Sequence, residues 1–252
     1  MDMEDVKKDR IGLKGKFSWL EKSNVETDQM KGLLRPAIIK EAQNISVRIP
    51  LPKPNGEVLF SNNFYQIIED RKSRRNFSSN SISIPELSFL LWSTQGIKEI
   101  GPNETFIRKM VPSGGARHTF ETYLSILNVD GIEPGIYQYL PRNHEIGLLF
   151  QDPDLKQNMI QVAKGQEFVT KSAVTFIWSC IPYRGEWRYH WESHKLILLD
   201  AGHLCQNLYL SAEAIQAGTC AIGAYDQDFA DKYLHLDGEE EFVIYMAPVG
   251  KI

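Results

Sequence analysis

Residues 191–218 read WESHKLILLDAGHLCQNLYLSAEAIQAG, and how this stretch is covered decides the fold. The spacing predicts one helix of about 26 residues, stopping before Gly218, and at 1.5 Å per residue about 40 Å long. Leu196, Leu199, His203, Gln206, Leu210 and Ala214 follow one face. Ile197, Leu198, Ala201, Leu204, Cys205, Leu208 and Ile215 make the other faces apolar too. A helix that is apolar nearly all round is expected to be buried on every side. The cover comes either from the rest of this chain or from a partner subunit.

Upstream of it, AVTFIWSC (173–180) reads as a buried strand. Asp152 and Pro153 open a helix running to Gly165. GIYQYL (135–140) and EIGLLF (145–150), joined through Pro141–Asn143, read as a hairpin, and TYLSILNV (122–129) alternates as a strand does. Ser83 and Glu86 have capping-box spacing around Pro85, with Gly96 as the stop, and a shorter helix covers about residues 63–72. Downstream, FVIYMAPVG (242–250) closes the chain as a strand. Helices and strands do not alternate strictly and a hairpin is present, so the class is α+β. Residues 1–60, punctuated by Pro36, Pro50, Pro52, Pro54 and Gly56, read as an extension that wraps or pairs, and 61–252 as one domain.

A net charge of −4 over 252 residues, with no basic stripe, argues against a nucleic-acid binder. The charged start MDMEDVKKDR is not a secretory signal, and no apolar run approaches a membrane span. Cys180, Cys205 and Cys220, odd in number and in apolar settings, point to reduced thiols in a cytoplasmic protein.

Against that net charge, RKSRRNF (71–77) gathers four cations in five residues. One reading is a solvated helix end, where cations complement the helix dipole. The other is a phosphate grip, with Arg, Ser and Arg at alternate positions giving charge-assisted hydrogen bonds. In VPSGGARHTFETY (111–123), Pro112, Ser113, Gly114 and Gly115 make either an ordinary turn or a loop that lets a flat ligand approach bare backbone. In GTCAIGAYD (218–226), Gly223 offers backbone N–H groups and Asp226 suits a helix cap, and a plain turn serves equally. His190 and His194 stand at i, i+4, but Glu192 is misplaced for H-E-x-x-H and no cysteine pair assists, so no metal site is expected. Nucleophile-elbow, Walker and dinucleotide-fold glycine motifs are missing from the sequence.

The order of these pieces resembles the nitroreductase superfamily of FMN-dependent oxidoreductases, and within it the SagB-type dehydrogenases that oxidise azolines to azoles on peptides. RKSRRNF, ELSFLLWSTQGI, PSGGARHTFETYL, DAGHLCQNLYLSAEA and CAIGAYD carry the resemblance, over about residues 63–251. It implies a mixed, mostly antiparallel sheet flanked by helices, with a long central helix packed at the core of a homodimer and FMN between the subunits. Arg71, Lys72, Ser73 and Arg75 then match the phosphate site, Pro112, Ser113 and Gly114 the loop along the flavin ring, and Gln166 its pyrimidine edge. Gly223 and Ala224 match the segment facing N5, and Lys251 a last cation for the phosphate. Arg188 and Tyr189 stand where SagB-type enzymes carry a Lys-Tyr pair for proton handling. Arginine stays charged where lysine could act as base, so a general FMN oxidoreductase is preferred to an azole-forming one. Small molecules or peptides are the implied substrates and NAD(P)H a possible donor; a flavin-binding scaffold without turnover is the alternative.

Overall fold

The protein is seen as a computed structural model that describes residues 3–15, 25–41 and 43–252. Helix α1 (Met3–Asp9) and strand β1 (Val47–Pro50) precede α2 (Phe64–Asp70) and α3 (Ile84–Gln95). Both of the latter start as the sequence dictates. Asn63 Oδ1 accepts from the Gln66 N–H at 3.3 Å, and Glu86 accepts from the Ser83 N–H at 2.9 Å. A small ribbon, β2 (Ile97–Ile100) with β3 (Ile107–Lys109), leads to β4 (Phe120–Ile126), β5 (Gly135–Leu140) and β6 (Glu145–Phe150). Then come α4 (Leu155–Val162), β7 (Val174–Cys180), α5 (Tyr183–Tyr189), α6 (Ser193–Ala214), β8 (Ala217–Thr219), α7 (Gln227–Tyr233) and β9 (Phe242–Lys251).

Seven strands form one sheet in the order β1-β6-β5-β4-β7-β9-β8, with each neighbouring pair antiparallel. The edge strand β1 comes from the first sixty residues. Every residue of β4, β5 and β7 is buried, so the sheet must be covered on both faces. Alternation along β7 shows how: Phe176 and Trp178 join Leu87, Leu91, Leu204 and Leu208 of α3 and α6. Ile177 between them joins Met159, Val162 and Ala230 of α4 and α7 on the opposite face. No described helix is long and apolar enough to cross a membrane.

One expectation for residues 191–218 needs correcting. The helix is 22 residues long, ending at Ala214, not at Gly218. Gln216 takes a left-handed φ of 53°, the Ile215 carbonyl accepts from Lys251 Nζ at 2.7 Å, and the chain turns into β8 to pair with β9. Gly218 lies in that strand, where a Cβ would run into the Arg74 side chain. Within this chain the helix is not buried all round. Ile197, Ala201, Leu204, Cys205 and Leu208 face the sheet, while Leu198 and Leu199 are 58% and 51% exposed.

Candidate functional site

The candidate residues gather in two groups, at opposite ends of α6. The first surrounds its C-terminal half. Within residues 71–75, Ser73 is tied to Thr219 by a parallel bridge, and its hydroxyl and the Arg71 guanidinium both lie against Tyr209. Arg74 is used by the fold: its Nη2 lies 2.5 Å from Glu213 Oε1, and its N–H donates to the Thr219 carbonyl at 2.9 Å. Arg71 and Arg75 have no carboxylate partner among the described residues. Their guanidinium carbons instead lie 5.5 Å from the Tyr209 ring and 5.9 Å from the Phe168 ring. The Tyr209 hydroxyl is 3.0 Å from Ser73 Oγ and accepts from the Ala221 N–H at 2.9 Å. A cleft of about 470 Å³ is lined by Lys72, Ser73, Arg75, Phe77, Ser78 and Ile252, among others.

The same group continues around the edge of the sheet. Gln166 Nε2 donates to the Ala224 carbonyl at 2.9 Å and to the Ala163 carbonyl at 3.0 Å, fixing the 223–224 segment. Gly223 and Ala224 are exposed, a Cβ on Gly223 would meet nothing within 4 Å, and neither N–H has a partner among the described residues. Asp226 Oδ1 then caps α7 through the Phe229 N–H, at 3.1 Å. Lys251 is committed elsewhere. Its Nζ lies 2.5 Å from Glu86 Oε1 as well as on the Ile215 carbonyl, so the structure gives it the task of holding the end of α6 against α3.

The second group surrounds the N-terminal half of α6. Here Pro112, Ser113 and Gly114 are pinned by Asp200, whose Oδ2 accepts from the Gly114 N–H at 3.0 Å, while Ser113 Oγ accepts from the His118 N–H at 2.9 Å. Burial pushes the Asp200 carboxyl up, and bonds from the Ser113 hydroxyl and the Gly114 N–H partly offset this. Gly115 takes φ 58°, and a Cβ there would overlap the Tyr189 hydroxyl and approach Arg188 Nε to 3.0 Å. The loop and the pair Arg188–Tyr189 are therefore one surface. Beneath it the Arg117 guanidinium lies 5.0 Å from the Trp187 ring. Along the outer face, His194 pairs with Glu186 at 2.7 Å, and His203 lies 3.9 Å from Asp200.

Within one chain the two groups do not meet. Their α6 anchors, Asp200 and Tyr209 with Glu213, are separated by about 15–20 Å of helix. Sequence reasoning missed three anchors: Asp200, Tyr209 and Glu213. Asp200 carried a signal, as the lone carboxylate between apolar residues 196–199 and 201–205 of a helix read as buried.

A profile of the nitroreductase family matches residues 68–251. The chain belongs to the nitroreductase family. Membership places it among the oxidoreductases. It is 27% identical over 185 residues to a nitroreductase-like protein of Methanocaldococcus jannaschii (MJ1384), covering 73% of this chain and 89% of that one. It is 24% identical to the microcin B17-processing protein McbC of Escherichia coli, covering 73% of this chain and 71% of McbC. The match to the trifolitoxin-processing protein TfxB of Rhizobium leguminosarum bv. trifolii is 28% identical but spans only 36% of that protein. Among solved structures, a nitroreductase-like protein of Ralstonia eutropha superposes with a TM-score of 0.66 at 20% identity, over 84% of this chain and 96% of that one. A chain of the E. coli microcin synthetase McbBCD complex with truncated pro-MccB17 superposes with a TM-score of 0.63 at 20% identity, over all of this chain and 94% of that one. These last two likenesses support the fold of this nitroreductase-family chain.

The residues present suit the flavin phosphate the family implies. Two arginines lacking carboxylate partners flank a hydroxyl, and unpartnered backbone N–H groups stand beside a pinned glutamine.

Proposed function

We propose that the chain is an FMN-dependent oxidoreductase passing hydride between bound flavin and a small or peptidic substrate, and that it works as a homodimer. The observation that carries this reading is the division of labour at 71–75: the fold consumes Arg74, while Arg71 and Arg75 have no carboxylate partner among the described residues and Arg71 shares Tyr209 with Ser73. An R-x-S-x-R with that pattern suits a dianion. Arg71, Ser73 and Arg75 would hold the phosphate, with Lys72 adding charge at the rim. Gln166 and the N–H groups of Gly223 and Ala224 would bind the polar edge of the ring. When bound, FMN supplies the two-electron chemistry, and the protein supplies position and electrostatics.

Pro112–Gly114, Arg188 and Tyr189 then belong to the site of the partner subunit. An isologous pairing of the exposed α6 faces about a two-fold perpendicular to the helices would run them in opposite directions and bring the N-terminal group of one chain to the C-terminal group of the other. In that seam Tyr189 can hold or deliver a proton, while Arg188, always charged, orients a polar or anionic substrate. NAD(P)H is the donor in the nitroreductase version. A second reading, an azoline-to-azole dehydrogenase acting on peptides, is favoured by the likeness to McbC and TfxB, both named as peptide-toxin processing proteins.

The test starts with a visible spectrum of the purified protein. It should be yellow, or retain FMN through desalting after incubation with it, and Arg71→Ala and Arg75→Ala should each weaken FMN binding about 10- to 100-fold. Bleaching by NAD(P)H supports the first version; bleaching by an azoline peptide alone supports the second. A preparation that retains no FMN after incubation with excess and desalting ends both.

A further inference from the structure

Residues 27–40 contain neither helix nor strand, yet they are fastened along their whole length to α5 and the sheet beside it. The Tyr183 hydroxyl donates to Asp28 Oδ2 at 3.1 Å, and the Gln29 N–H donates to the Trp187 carbonyl at 2.9 Å. Trp187 Nε1 donates to the Leu33 carbonyl at 3.0 Å, and Arg184 Nε to the Ala37 carbonyl at 2.8 Å. At the far end Lys40 enters a buried acidic pocket. Its Nζ is 2.5 Å from Glu241 Oε2 and 3.1 Å from the Tyr123 hydroxyl, and its N–H donates to Glu121 Oε1 at 3.2 Å. Ile38 and Ile39 are buried against Ile107.

Tyr183, Arg184 and Trp187 form one face of α5, and the next two residues are Arg188 and Tyr189. Helix α5 has only seven residues, below the length at which a helix holds itself. It ends at His190 with φ 53° and ψ −146°, a conformation side chains disfavour. A short helix ending in strain keeps its shape only if its surroundings impose it, and here much of the imposing is done by a segment upstream of the matched family region.

We propose that residues 27–40 are a strap that fixes α5 and thereby orients Arg188 and Tyr189, with Asp28 and Lys40 as positioning residues. Only the roles of Arg188 and Tyr189 rest on the proposed function; the clamping of α5 stands apart from it.

The test uses the full-length protein with two variants, Lys40→Met and Asp28→Asn. Three quantities are read: amide hydrogen exchange of residues 183–190, flavin content, and kcat and KM for whichever donor bleaches the flavin. Lys40→Met should speed exchange in 183–190 at least 10-fold and lower kcat at least 10-fold. Flavin content should hold, because the strap contacts above leave residues 71–75 untouched. Asp28 lies at a solvent-facing contact, so Asp28→Asn should fold even if Lys40→Met does not, and should speed exchange about threefold. Unchanged exchange in every variant that folds would overturn the strap. Faster exchange with unchanged kcat would overturn its role in orienting Arg188 and Tyr189. A wild-type protein that binds no flavin would sink the proposed function while the exchange arm still decided the strap.

Discussion

At the scale of single residues, Lys109, at the end of β3, is a buried charge without a carboxylate in hydrogen-bond reach among the described residues. Its ammonium donates to Gln95 Oε1 at 2.7 Å within the core. Burial lowers it from 10.5 to about 8, partly opposed by the Glu121 carboxylate. The folded protein therefore binds this proton less tightly than the unfolded chain does, so the charged lysine costs stability. The cost is fully present below pH 8 and is relieved as pH rises from about 8 to 10.5, by about 3 kcal/mol at most. Urea unfolding of wild type and Lys109→Met across that range should show wild type gaining on the variant by about that amount. A difference that stays flat with pH would mean the ammonium is not buried as described. Such a residue was invisible in the sequence, because IRKM (107–110) gives no sign that the lysine points inward; only the pairing of β2 with β3 over Gln95 does so.

Among the elements, those with local signals were legible and those set by distant contacts were not. Asn63, Ser83 with Glu86, Gly96 and Asp226 mark their helix boundaries through partners within four residues, and the β5–β6 hairpin reads from two strand-like runs joined by Pro141–Asn143. The end of α6 depends on Lys251, 36 residues away, and on β8 joining β9, so Gly218 misled as a stop. In the candidate site, the R-x-S-x-R spacing identified residues 71–75, but not which arginine the fold would consume, since Glu213 lies 139 residues from Arg74. Tyr209 was missed for the same reason: one hydroxyl joins α6 to Ser73 and to Ala221, elements with nothing in common in sequence. Tyr209→Phe removes that link and keeps the ring under Arg71. Losing the two hydrogen bonds of that hydroxyl, with a net effect on the site of about 1 kcal/mol, should weaken FMN binding about fivefold with little change in thermal stability, as measured by flavin fluorescence titration. An unchanged affinity would mean that Ser73 and the 221–224 segment are placed without it.

For the whole molecule the open matter is the uncovered side of α6. His194, Leu198, Gly202 and Gln206 recur every four residues on the exposed face, with Leu199 and His203 beside them. On α2, Phe64, Tyr65 and Ile68 are exposed as well. Leu198 and Leu199, with Phe64, Tyr65 and Ile68 on the neighbouring α2, are exposed large apolar side chains of the kind an interaction surface uses. The sequence had made α6 apolar all round, and the fold satisfies that pattern on one face only; in the proposed homodimer a second copy would satisfy the other. The doubly substituted Leu198→Glu, Leu199→Glu chain should therefore sediment as a monomer at micromolar concentration where wild type sediments as a dimer. It should also lose flavin, although neither leucine belongs to the group around Arg71, because in the proposed homodimer the Pro112–Gly114 loop arrives from the other subunit. Wild type sedimenting as a monomer with full flavin would refute the shared site, and leave Pro112–Gly114 to be explained within one chain.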